Sequence, residues 1–168
     1  MKDQIIALYA NSLADAERFV ADVPDERFAE SPYPDAKHPA WVLGHLAVGG
    51  GMMAGCLKGD PADLAGVPEA WTKTSAPGCP VSNERGDYAG KDELLATLRS
   101  VHETLTKAVE AASDADLAAE FPIAEYRDFF PTNGAAVAYM MAFHEPYHLG
   151  QLSQWRRAAG FGSPEGQV

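Results

Sequence analysis

Basic residues are scarce in this chain: 13 Lys and Arg stand against 24 Asp and Glu, for a formal net charge of -11. That balance excludes the concentrated basic patch with which proteins grip phosphate backbones, so no nucleic-acid partner is expected. Anionic membrane surfaces are disfavoured for the same reason. Arg156-Arg157 is the one basic cluster, and it suits the dipole at a helix C-terminus better than a binding footprint. Cysteine is rarer still. Cys56 and Cys79 are 23 positions apart, which is neither a zinc-ribbon spacing nor a CxxC redox pair, and nothing points to an oxidising compartment where they would pair. Two indifferent or buried thiols are expected. No run approaches the roughly 18 to 20 apolar residues that span a bilayer. Residues 1–20 carry polar side chains throughout and lack the apolar segment of a signal peptide, so the expected location is the cytoplasm. Strand-like alternation, internal repeats and low-complexity tracts are also missing.

What remains is helical periodicity. A length of 168 residues, with 46% hydrophobic and 22% charged, suits one globular domain over 1–168. Ile5, Leu8, Tyr9, Leu13, Ala16, Phe19, Val20 and Val23 recur at three- and four-residue steps, predicting a helix that ends near Pro24. Residues 29–39 hold three prolines and form a loop, and Pro39 suits the first turn of a second helix from Ala40 to Lys58. Gly49-Gly50-Gly51 inside that helix implies either a break or the close approach of a backbone or ligand. Residues 59–90 are a long connection without a period. A third helix runs from Lys91 to Ala112, closed by Ser113-Asp114. A second loop follows at Phe121–Pro131, bearing Tyr126, Phe129 and Phe130. Thr132 caps a last helix that reaches Ala159, with Gly160 beyond it. The reading is all-α, a four-helix bundle with long loops.

The last helix carries the chemistry. His144 and His148 are four apart, hence on one helix face, where two imidazoles can reach one ion. Val137, Met141, His144, His148, Gln151 and Trp155 follow one stripe, and burying its polar members costs several kcal/mol unless they are bonded or coordinate something. The order His144-Glu145-Pro146-Tyr147-His148 is that of the zinc-protease string, but a proline inside the helix and no third protease ligand downstream argue against a protease. His45, in the apolar stripe of the second helix, is the best third ligand. His102, beside Glu103 and Arg99, is expected at the surface, and His38 is expected to cap or be solvated. Cys56 lies about 16 Å along the axis from His45, too far to share an ion. Gln151 is expected to contact His148 or a bound water, or else to bond a neighbouring helix. Glu145, off the buried stripe, either pairs with a neighbouring helix or serves as general base. Tyr147 and Trp41 are expected to wall the pocket, and Gly49 to leave room for substrate.

Trp41-Val42-Leu43-Gly44-His45-Leu46, followed about a hundred residues on by His144-Glu145-Pro146-Tyr147-His148-Leu149-Gly150-Gln151, resembles the DinB-like superfamily. The resemblance implies an up-down-down-up bundle and a divalent ion, zinc or nickel, on His45, His144 and His148 with open positions. It implies a homodimer, and relatedness to thiol-dependent S-transferases using low-molecular-weight thiols. The Gly49–Gly51 run and Pro146 depart from the family pattern. The expected function is a metal-dependent enzyme activating a thiol or water for transfer or hydrolysis on a small molecule. The alternatives are a non-catalytic metal-binding stress-response protein and a small-molecule binding module.

Overall fold

Prolines, caps and apolar spacing set the elements of the computed structural model, which describes residues 2–163. Helix α1 (Lys2–Val20) buries Tyr9, Ser12, Ala16, Phe19 and Val20. Helix α2 (Pro39–Lys58) starts at His38, whose Nδ1 accepts the Trp41 amide at 3.2 Å, and ends at Gly59 in the left-handed region, φ 81°. His38 is thus a cap, and a fully buried one; its Nε2 donates to the Ser82 carbonyl at 2.7 Å. Helix α3 (Thr72–Ser75) is one turn inside the long connection, where the absence of periodicity hid it. Helix α4 (Lys91–Ala111) is followed directly by α5 (Asp114–Ala118), because Ser113 opens a new helix through a capping box with Asp116 rather than only closing the old one.

The last helix is not continuous. Thr132 caps α6 (Asn133–Tyr139), a π turn spans Met140–His144, and α7 runs over Glu145–Ala158. Pro146 explains the interruption: it has no N–H for the Ala142 carbonyl and its ring collides with that carbonyl in a regular α-helix, so the chain widens just before it. Among the described residues there is no strand, only an isolated bridge between Glu120 and Thr132.

Lys2 Nζ donates to the Ala112 carbonyl at 2.7 Å and Lys91 Nζ to the Val20 carbonyl at 2.7 Å, so α1 and α4 run antiparallel. Gly44 faces Leu94 and Gly50 faces Val101, so α2 and α4 run the same way. Arg156 is not an exposed dipole partner. It is 1% exposed and donates to the Phe19 carbonyl and Asp22 Oδ1, each at 2.6 Å, tying the end of α7 to the end of α1.

Helix α2 corrects the reading of long apolar runs. Counting its glycines and alanines, it has the length and mean hydropathy (1.4) of a membrane span, yet 89% of that window is buried, which marks the central helix of a bundle. The glycine run does not break it; a side chain at Gly51 would strike the Leu64 carbonyl, so another backbone packs there. The core falls into two clusters, one around Phe19, Leu43, Leu98 and Trp155, the other around Met53, Leu105, Phe121 and Met141. On α4 the change comes between Val101 and Leu105, and on the last helix between Met141 and Leu149. The buried polar residues His102, Glu145 and His148 lie at that seam.

Candidate metal centre

His45 comes from the middle of α2, His144 from the end of the π turn and His148 from the first turn of α7. One ring nitrogen of each lies within 4.8 Å of the other two. His45 Nε2 and His144 Nε2 are 3.1 Å apart. Tetrahedral ligands at about 2.0–2.1 Å from an ion stand roughly 3.4 Å from one another, so this pair is already close to a ligand edge.

Two rings are fixed by their other nitrogen. His45 Nδ1–H donates to the Ser75 carbonyl at 2.8 Å, and since a carbonyl only accepts, the lone pair of His45 sits on Nε2, facing inward. His148 Nδ1–H donates to Gln151 Oε1 at 2.8 Å, with the same result. Ser75 is the last residue of α3 and could not have been found from the sequence: a backbone carbonyl has no side-chain signature. His144 has no such partner, and its Nδ1 is buried without a hydrogen bond. With its proton on Nδ1, two lone pairs face each other at 3.1 Å, which a cation between them relieves. With its proton on Nε2, the buried Nδ1 lone pair is left with nothing. The residues therefore fit a metal ion.

Electrostatics point the same way. Burial, and then repulsion from the other two histidines, push His144 down to about 3. Burial and His45 push His148 down to about 4, against the Gln151 hydrogen bond, and burial lowers His45 as well. All three are neutral near pH 7, the form that ligates. Trp41 stacks on His45 with centroids 4.5 Å apart and planes at 10°, covering one face of that ligand. Lys37 Nζ lies 4.4 Å from the Trp41 ring centroid on the outside.

Glu145 and His102 stand apart from this cluster. His102 is 4% exposed, not a surface residue, because α4 turns it inward between α1 and α7. Its ring stacks on Tyr9 at 3.6 Å, and its Nε2 donates to Glu145 Oε1 at 2.9 Å. Glu145 is not off the buried face: one turn after Met141 and one before Leu149, it is 3% exposed. Burial pushes its carboxyl above the usual range, against the pull of His102. The buried arc of α7 is wider than a stripe through His144 and His148, since this helix packs on both α1 and α2.

A cavity of about 330 Å³ opens beside His45 and His144. Gly49 lies on its wall, where an added side chain would approach Met140 Cε at 2.9 Å and His144 Cε1 at 3.6 Å. Phe129, Phe130, Tyr126 and Tyr139 supply the aromatic side. The density of aromatics in loop 121–131 was the only sequence signal for this wall. Trp41 and Tyr147 are not part of it: Trp41 is buried against His45, and Tyr147, 55% exposed, packs edge-on to His148.

A sequence model of the DinB superfamily matches residues 8–152, a span that includes all three histidines and Gln151. The chain belongs to the DinB superfamily. No curated protein and no solved structure gave a match.

Proposed function

We propose that the chain is a metal-dependent enzyme acting on a small molecule, with a divalent ion, zinc or nickel, held by His45, His144 and His148. The observation that carries this reading is the convergence of three neutral imidazoles beside a cavity, two of them oriented by Ser75 and Gln151. Three neutral protein ligands leave a coordination position open, which separates catalytic zinc sites from closed structural ones. When bound, such an ion supplies Lewis acidity that favours the deprotonated form of a thiol or water at neutral pH.

The protein's own part is orientation and exclusion of water. Ser75 and Gln151 hold lone pairs inward, and Trp41 closes the face of His45 away from the cavity. Glu145, held by His102, positions the start of α7 and is not the base in this reading. Burial pushes the Cys56 thiol up to about 11, so a low-molecular-weight thiol from solution, rather than this residue, suits the nucleophile. The apolar cavity wall also suits a binding module without turnover.

Metal content by mass spectrometry on untagged protein, beside His144→Ala, is the test. About one divalent ion per chain, lost in the variant, and metal-dependent turnover of a thiol with an electrophile are expected. Stoichiometric metal without turnover on any thiol or hydrolytic substrate favours the binding module; no metal after offering zinc and nickel overturns the reading.

A further inference from the structure

Resting on the metal reading above, we propose that the cavity beside His45 and His144 takes an uncharged, flat apolar molecule. Its ring system lies against the aromatic wall, and its polar end faces the two histidines.

The lining decides the class. No Asp, Glu, Lys or Arg contributes to it, although charged residues make up 22% of the chain. A cationic group entering there would lose its water and find no counter-charge, and an anionic one would find it only at the ion, not along the aromatic wall. The polar features of the lining are the metal site at His45 and His144 and the side chains of Tyr126 and Tyr139, so the ligand's polar end is placed at the metal site. The volume of about 330 Å³ equals roughly ten water-sized groups, at the lower end of small-ligand pockets.

The shape of the wall suits a ring. Phe129 meets Phe130 edge-on at 4.7 Å and 76°, and meets Tyr139 at 5.2 Å and 84°. Another aromatic ring extends that pattern, because edge-to-face and offset packing are the favoured arrangements. Gly49 supplies depth, since any larger residue would push into Met140 beside His144. Phe129, which lines the cavity, is 64% exposed, and Phe143, packed on the lining residue Tyr139 at 5.2 Å, is 56% exposed, apolar area left to water where a ligand or partner can cover it. His148 does not line the cavity, so the ligand approaches the histidines from the His45 and His144 side.

The experiment titrates the full-length protein, metal-loaded and metal-free, with the neutral fluorophore N-phenyl-1-naphthylamine and its anionic analogue 1-anilinonaphthalene-8-sulfonate. Saturable uptake of one neutral probe per chain is expected, and in the metal-free protein it is about tenfold tighter than uptake of the anion. Gly49→Leu is expected to weaken it by about tenfold with metal content unchanged. Phe129→Ala, an exposed position where the fold is not at stake, is expected to weaken it about threefold and decides the matter if Gly49→Leu does not fold. Equal affinity for the anion, unchanged binding in a folded Gly49→Leu or in Phe129→Ala, or no saturable binding overturns the inference. Sedimentation showing a dimer that excludes the probe, with Phe129 and Phe143 between two copies, overturns it too. Metal measured on the same samples separates the two readings: ion without probe defeats the cavity's ligand class alone, whereas probe without ion defeats the metal site alone.

Discussion

Two consecutive residues of the last helix look in different directions, and the two regions they enter differ in one respect. His144 enters a cluster that the chain leaves incomplete: the inward nitrogens of His45 and His148 are lone pairs, and His144 has no protein partner for Nδ1. Glu145 enters a cluster that completes itself, a carboxyl accepting from His102 at 2.9 Å with the Tyr9 ring stacked over the imidazole. Both are histidine-bearing polar groups at the same seam in the core. One is satisfied by the chain and fastens α4 to α7; the other leaves His144 Nδ1 buried without a hydrogen bond and could hold an ion. Burial alone does not mark a functional histidine. What marks it is burial without a donor.

That contrast can be broken in a definite order. The largest effect is a double dissociation. Glu145→Ala leaves the His102 N–H buried and unpaired, so unfolding free energy is expected to fall by about 1–3 kcal/mol with metal stoichiometry kept. His144→Ala is expected to abolish stoichiometric metal while changing the metal-free protein's stability by only about 1 kcal/mol. Denaturant melts beside metal analysis read both; metal lost from Glu145→Ala, or a collapse of the metal-free His144→Ala fold, would merge the two regions into one.

Next comes Gln151→Ala, which frees the His148 ring to turn. Metal affinity is expected to drop about 10- to 100-fold with little change in melting temperature, measured by competition with a chelator.

The third test is pH dependence, and here the two regions have opposite signs. His144 and His148 titrate near 3 and 4 when folded, against about 6.5 unfolded, so between those values the unfolded chain binds more protons. Their contribution is full above pH 6.5 and is lost as pH falls toward 4. Glu145 has its folded pKa raised, so the folded chain binds more protons just above the unfolded carboxyl value and stability declines as pH rises through that window. Thermal melts of the metal-free protein are expected to lose stability between pH 6.5 and 4, and His144→Ala to flatten that slope. An unchanged slope in the variant would place the acid sensitivity elsewhere.

Much of this is legible in the amino-acid sequence. The three-four spacing from Ile5 to Val23 and from Leu94 to Val109 gave α1 and α4, and Pro39, Thr132 and the prolines of 29–39 gave helix starts and a loop. The three histidines could be grouped because two are four apart and the third sits in an apolar context four residues after Trp41. The rest was hidden for physical reasons. His102 and Glu145 are 43 positions apart, and each has charged or polar neighbours in sequence, so nothing local shows that both turn inward. The π turn depends on how Pro146 is accommodated, which spacing does not encode. The aromatic wall comes from a loop, and loops have no period. Ser75 acts through its backbone. Helix α2 misled because glycine and alanine look neutral in a count of apolar side chains, yet they let neighbours press in from every side.

That last feature has a kinetic side. Amides of a helix with almost no surface exchange with solvent only when the whole molecule opens, so α2 is expected among the slowest-exchanging segments. His45 sits in its middle, so that the ligand exists only while the domain is closed. An ion held there acts on global opening, by the mass-action term for a ligand that binds the folded form alone, and slow exchange along α2 becomes a direct gauge of how tightly the ion is held.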